Sequence, residues 1–233
     1  MWIKICGNTN LEDARFAAQC GANAVGFVFA PSPRQVNVET VRQIARNLPP
    51  ELETYGVFAD TGLEDIVSAV NTCGLTGVQL HRSSDDRLPA LLRDRLDRIS
   101  ILSVLHYKGD QFKGDQFEHQ MMETAQNTAL NGVLVDSSTT RAIGGTGVSF
   151  NWSEARNAFL RVAPKMRLVA AGGLSPENVQ QAIQTLQPWG VDVVTGVEQA
   201  PGKKDPAKVL AFIRAAREAS TETAQSLEER LKA

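Results

Sequence analysis

Short apolar, β-branched runs alternate eight times with longer helix-patterned stretches, and this alternation constrains the fold more than any other feature of the chain. The runs are 2–6, Ala24–Phe29, Thr54–Phe58, Gly77–Leu80, Ile99–Leu105, Gly132–Asp136, Arg167–Ala171 and Val191–Val194. The helical stretches lie between and after them, at 10–20, 38–47, 62–73, 84–94, 117–129, 153–162, 176–187 and 205–219. Eight strands, each followed by a helix, predict an α/β fold of the (β/α)8 barrel type in a single domain. An open doubly wound sheet is the competitor. It would more often place a G-x-G-x-x-G turn after its first strand, and Cys6-Gly7-Asn8-Thr9 is not that turn. The barrel is expected over 1–219, with 220–233 as a polar helical tail carrying Leu227 and Leu231 at helical spacing.

Size and charge narrow the function classes. The 233 residues are enough for one large barrel core. The net charge is −2 with both signs interspersed, so the chain advertises no basic surface for nucleic acid. No apolar run approaches the roughly 18 residues of a membrane span. The amino terminus enters a strand without a charged leader, so the expected location is the cytoplasm. Cys6, Cys20 and Cys73 are too few and too scattered for a disulfide framework or a zinc site. No metal-ligand cluster and no nicotinamide fingerprint is evident, so neither metal nor cofactor is expected. One oddity, the tandem pentapeptide Lys108-Gly-Asp-Gln-Phe112 and Lys113-Gly-Asp-Gln-Phe117, reads as a duplication in a surface loop without function.

In a parallel barrel the reactive groups collect at the carboxyl ends of the strands. The first strand, Trp2-Ile-Lys-Ile5, stops abruptly at Cys6 and Gly7, with Asn8-Thr9 placed as a helix cap. Taken alone, Cys6 reads equally well as a small buried hydrophobe. After strand two, Pro31 and Pro33 stiffen a loop that presents Arg34. This guanidinium could grip a carboxylate or phosphate, or simply be a surface arginine. Strand four ends at His81, a structural hydrogen-bonding residue or a site residue. Strand six closes on Asp136, which can serve as a general acid or base, or as a turn aspartate. Gly144-Gly145-Thr146-Gly147 beyond it suits a mobile lid.

The last two strands carry the clearest local signal. Strand seven ends in Gly172-Gly173-Leu174, and Ser175-Pro176 then looks like a cap and first helical residue. Strand eight ends in Thr195-Gly196. Glycines at both ends let backbone N–H groups approach an anion, and the loops after strands seven and eight are a recurrent phosphate site in barrels. Strands six, seven, eight and one are neighbours in a closed barrel. A phosphosugar held in that cradle would lie between Asp136 and Cys6, with Arg34 one strand beyond.

These residues also carry a resemblance. Lys4-Ile-Cys-Gly-Asn-Thr9, Gly26-Phe-Val-Phe29 with Ser32-Pro-Arg34, Val78-Gln-Leu-His81, Leu134-Val-Asp136 with Gly144-Gly-Thr-Gly147, Ala171-Gly-Gly-Leu-Ser-Pro-Glu-Asn178 and Gly196-Val-Glu198 resemble the phosphoribosylanthranilate isomerases in motif order. The resemblance implies a monofunctional, cofactor-free barrel enzyme of tryptophan biosynthesis, a monomer or homodimer that takes a small phosphoribosyl substrate. It implies Asp136 as general acid and Cys6 as general base of an Amadori rearrangement. It places the substrate carboxylate on Arg34 and the phosphate on Gly172, Gly173 and Gly196, with His81, Thr195 and Gly145 also against the substrate. The chain departs from the family pattern at Arg82 (usually Gly), at Val194-Thr195 (usually Ser-Ser) and at Asn151 (commonly Asp). A related two-pathway isomerase would carry an aspartate in place of Cys6, and a non-catalytic phosphometabolite-binding barrel is the rival from another class.

Overall fold

The computed structural model describes residues 1–82, 85–107, 114–136 and 152–232. The strands β1 (Trp2–Ile5), β2 (Ala24–Val28), β3 (Glu53–Ala59), β4 (Gly77–Arg82), β5 (Ser100–His106), β6 (Gly132–Asp136), β7 (Arg167–Ala171) and β8 (Gly190–Val193) form one closed parallel barrel in sequence order. The last strand closes on the first, with Trp2 opposite Gly190 and Ile5 opposite Val193. The helices α1 (Leu11–Gln19), α2 (Val38–Ala45), α3 (Leu63–Cys73), α4 (Leu88–Arg95), α5 (Gly114–Thr124), α6 (Trp152–Val162), α7 (Val179–Leu186) and α8 (Pro206–Lys232) complete a (β/α)8 barrel. Among the described residues no helix is long and apolar enough to cross a membrane.

Side-chain alternation along each strand makes two separate cores. Ile3 and Ile5 point outward, into the apolar layer under the helices, with Val25, Phe27, Val133 and Val191. Trp2 points inward, to a second cluster with Ala24, Tyr55, Leu102, Leu134 and Val169 that fills the barrel. Lys4 and Cys6 share the phase of Trp2, and this puts an ammonium and a thiol inside the cylinder. Cys6 is buried but belongs to neither apolar cluster, whereas Cys73 packs in the outer one.

Two local expectations need correction. Asn8 and Thr9 are not the helix cap. Asn10 is, accepting from Asp13 N–H at 2.8 Å, while the Asn8 amide donates back to Ile5 O and Thr9 bonds Gly202 O. Ser175 and Pro176 do not open α7. They sit in a turn, because the Asn178 side chain folds back to accept from Ser175 N–H and donate to Gly173 O, so regular helix starts at Val179. In addition, Glu198-Gln-Ala-Pro-Gly-Lys-Lys204 forms a hairpin of β9 (Glu198–Ala200) and β10 (Lys203–Lys204) after a 3-10 turn at Thr195–Val197. The final helix runs unbroken through the expected tail to Lys232, and Glu222 on it accepts hydrogen bonds from Gln180 and Gln184 of α7.

Candidate active site

The site is built at the carboxyl ends of the strands. β1 ends one residue before Cys6, whose N–H donates to Val193 O at 2.9 Å across the closing seam. Gly7 then turns the chain at φ +73°, a left-handed conformation that favours glycine. A side chain there would also collide with the stem of Arg34 and with Val194. Arg34 therefore crosses the end of β1, directly above the thiol's strand. Its Nε and Nη2 bond Glu198 at 2.8 and 2.6 Å, a buried two-pronged pair. Two of five guanidinium N–H donors are thus used by Glu198.

The thiol stands over an ionic centre. Lys4 Nζ, fully buried, donates to Gln79 Oε1 at 2.9 Å and to Asp192 Oδ1 at 2.8 Å. Lys204 Nζ donates to Cys6 O at 2.5 Å, Val194 O at 3.2 Å and Glu198 Oε1 at 3.3 Å, so it clamps the β1 and β8 ends together. Burial pushes the Cys6 thiol up, and the nearby Lys4 ammonium is the largest influence in the other direction. Burial alone would depress Lys4, but Asp192 and Cys6 outweigh it and hold the ammonium above its ordinary range. Gly26 on β2 leaves room for both groups. A carbon added there would lie 2.5 Å from Cys6 Sγ and 3.0 Å from Lys4 Cε.

On the other side of the rim, Asp136 ends β6 with its side chain partly exposed. His81 Nε2 lies 3.9 Å from its Oδ2, and the His106 ring stacks at a tilt on His81 with centroids 4.7 Å apart. His106 pairs with Asp136 in register between β5 and β6. A carboxyl and two imidazoles therefore share one arc of the mouth.

Between these arcs lies the glycine cradle. Gly172 and Gly173 turn the β7 loop at φ +82° and +64°. Gly196 packs so tightly that an added carbon would fall inside the backbone of Leu174, and its lack of a side chain brings the loops after β7 and β8 into contact. Thr195 opens the 3-10 turn beside it. Gly145 and the rest of the 144–147 loop, the first copy of the tandem repeat and Asn151 lie outside the described residues.

Sequence reading missed Lys4, Gln79, Asp192, Lys204, Glu198 and His106. The available signal for the first three was a charged or amide residue inside an otherwise apolar strand of a barrel, at Lys4, Gln79 and Asp192 of β1, β4 and β8. A group of that kind, buried on both faces, needs partners from neighbouring strands.

A ring of thiol, carboxyl and imidazole groups on the carboxyl rim, above a buried ammonium, defines a (β/α)8-barrel enzyme of acid–base chemistry. Comparison with known proteins narrows the class. The family model for N-(5'-phosphoribosyl)anthranilate isomerase matches residues 3–215. The N-(5'-phosphoribosyl)anthranilate isomerase of Pelobacter propionicus is 40% identical over 222 residues, spanning 95% of this chain and 98% of its own. The crystal structure of phosphoribosyl anthranilate isomerase from Thermotoga maritima superposes with a TM-score of 0.81 at 36% identity, covering 94% and 99% of the two chains. Another phosphoribosyl anthranilate isomerase, in complex with reduced 1-(o-carboxyphenylamino)-1-deoxyribulose 5-phosphate, gives 0.76 at 34% identity over 94% and 99%. The chain belongs to the N-(5'-phosphoribosyl)anthranilate isomerase family.

Proposed function

We propose that this chain performs the family's reaction with Asp136 as acid and Cys6 as base. The reaction, which belongs to tryptophan biosynthesis, is the Amadori rearrangement of N-(5'-phosphoribosyl)anthranilate to the 1-deoxyribulose 5-phosphate. Asp136 gives a proton to the ribose ring oxygen, the C1'–O bond breaks, and the nitrogen lone pair forms the Schiff base. The Cys6 thiolate takes the C2' proton. The C–H pair becomes the C1'=C2' bond, and the C=N pair returns to nitrogen as an enolamine. Ketonisation then moves a proton from O2' and delivers one to C1', so atoms and charge balance without a cofactor.

The observation that carries this reading is the placement of Cys6, a buried thiol whose neighbours are ionic and not aliphatic. A purely structural cysteine gains nothing from such surroundings. Gly172, Gly173, Thr195 and Gly196 hold the phosphate by backbone groups, and Gly145 also contributes to substrate binding. Arg34, oriented by Glu198, takes the anthranilate carboxylate on its remaining donors. His81 stands beside Asp136 and meets the substrate there. The barrel of 1–219 is the catalytic unit and 220–233 its appendage. It acts in the cytoplasm as a monomer or homodimer.

Turnover of N-(5'-phosphoribosyl)anthranilate, followed by loss of anthranilate fluorescence, tests the reading. Cys6→Ala and Asp136→Asn should each lower kcat by about 10²–10⁴ and leave affinity for a product analogue largely intact. Near-normal kcat in either variant removes that residue from the mechanism. Turnover of the corresponding histidine-pathway aminoaldose would overturn the single-substrate reading.

A further inference from the structure

The acid–base pair does not account for a fully buried lysine beneath it. Lys4 lies two residues before Cys6 on the same inward face of β1, with none of its surface exposed. An ammonium has three donors. Gln79 Oε1 takes one at 2.9 Å and Asp192 Oδ1 another at 2.8 Å, and Cys6 is the other ionisable group whose charge bears on the ammonium. The space above Gly26 shows how close the two groups run. One added carbon there would lie within 3.0 Å of both Lys4 Cε and Cys6 Sγ.

The other cation near the thiol is already committed. Lys204 spends its three donors on Cys6 O, Val194 O and Glu198 Oε1, so it fixes backbone and not sulfur. The charged groups facing the thiol among the described residues are Lys4 from β1, Asp192 from β8 and Lys204 from β10, while β2 presents only Gly26. Of these, Lys4 favours the ionised sulfur most, and Asp192 opposes it more weakly.

We infer that Lys4 is the positioning residue for the base: held from two sides by Gln79 and Asp192, its ammonium aims the Cys6 sulfur and balances the negative charge left when the thiol proton departs. This rests on the reading of Cys6 as the base. The thiol S–H gives its proton to solvent before substrate binds. The sulfur keeps the electron pair, and Lys4 N–H donates to it. When the sulfur later accepts the C2' proton, the ammonium stays protonated and returns to a neutral neighbour. Lys4 never touches substrate in this scheme. It acts through Cys6 alone.

The test follows the rising limb of kcat/KM against pH, which reports the free enzyme's base. Alongside it, the ultraviolet thiolate absorbance of Cys6 is titrated after subtraction of the Cys6→Ser protein. Lys4→Met should move both midpoints to higher pH by about one unit, which is about tenfold less thiolate at neutral pH, with KM little changed. Lys4→Met alone strands the buried Asp192 carboxylate and can fail to fold. The double variant Lys4→Met/Asp192→Asn removes both charges, and its midpoints should also rise, because the Lys4 influence exceeds that of Asp192. Unmoved midpoints in a folded variant overturn the inference, since a purely structural lysine would change stability and leave the titration alone. If Cys6→Ala keeps its kcat, the base assignment itself fails, while the absorbance titration still judges the Lys4–thiol coupling separately.

Discussion

Gly26→Ala is the smallest change that should disable the site without replacing any charged group or either proposed acid–base residue. The added carbon would stand 2.5 Å from Cys6 Sγ, 3.0 Å from Lys4 Cε and 3.2 Å from Cys6 Cβ. Comfortable non-bonded contact needs about 3.5–4.0 Å, so the sulfur must retreat by about 1 Å, chiefly by rotating about χ1. Lys4 cannot yield as easily, because Gln79 and Asp192 hold its far end. Misplacing a catalytic group by about 1 Å costs about 10²-fold in rate, whereas overpacking a core by one methyl costs about 1–3 kcal/mol. The expected phenotype is therefore a folded protein, modestly less stable to urea, whose kcat falls about 10²-fold at nearly constant KM. Fluorescence-monitored turnover and a urea titration on the same sample give both numbers. A folded Gly26→Ala protein with the parent's kcat would refute the claim that the sulfur's position against β2 matters to the reaction.

Two other perturbations probe the anion cradle and the ionic clamp. Gly196→Ala would force the β8 loop away from Leu174. Inorganic phosphate and product analogues should then bind at least about tenfold more weakly by calorimetry, a loss of about 1.4 kcal/mol. Burial works against ionisation of Glu198, yet Arg34 and Lys204 outweigh it and hold its carboxyl below the usual carboxylate range. A depressed carboxylate contributes stability above its unfolded value and loses it as pH falls through the folded one. Glu198→Gln should therefore cost about 3–5 kcal/mol near neutrality, by leaving Arg34 and Lys204 without their counter-charge. Its stability should also vary less with pH than the parent's in the range below the ordinary carboxylate value of 4.5. Equal acid sensitivity in urea titrations at several pH values would show that the clamp does not carry the charge balance.

The fold was legible where hydrophobic patterning and geometry agree. The runs Gly132–Asp136 and Arg167–Ala171 became β6 and β7 without a shift, because each is an apolar stretch buried on both sides and stopped by a polar residue or glycines. β8 begins one residue earlier than its apolar run, at Gly190, since that glycine lies under Trp2 where no side chain fits. The candidate site was legible at strand ends, which position Cys6, Asp136 and His81 whatever the loops do. What holds those ends was not. Lys4 and Asp192 break the apolar period of their own strands, and their pairing joins positions 188 residues apart. The β9–β10 hairpin escaped for a related reason. Its strands are three and two residues long, and it is fixed by Thr9 and by the buried Lys204 more than by its own pattern. Local rules read pattern within a segment, and these contacts are made between distant ones.

The seam where β8 meets β1 has a consequence for how the protein comes into being. The strand β1 waits for β8, whose Asp192 follows Lys4 by 188 residues, and the lysine that ties down Cys6 O lies 198 residues after it. Contacts of such span are slow to form, because a long loop must close before any stabilisation is gained. A growing chain on the ribosome can thus acquire helices and inner strands early, yet Cys6, the proposed base, is not held in place until the hairpin after β8 has emerged. Activity should therefore appear last, as a property of the finished ring and of no fragment of it.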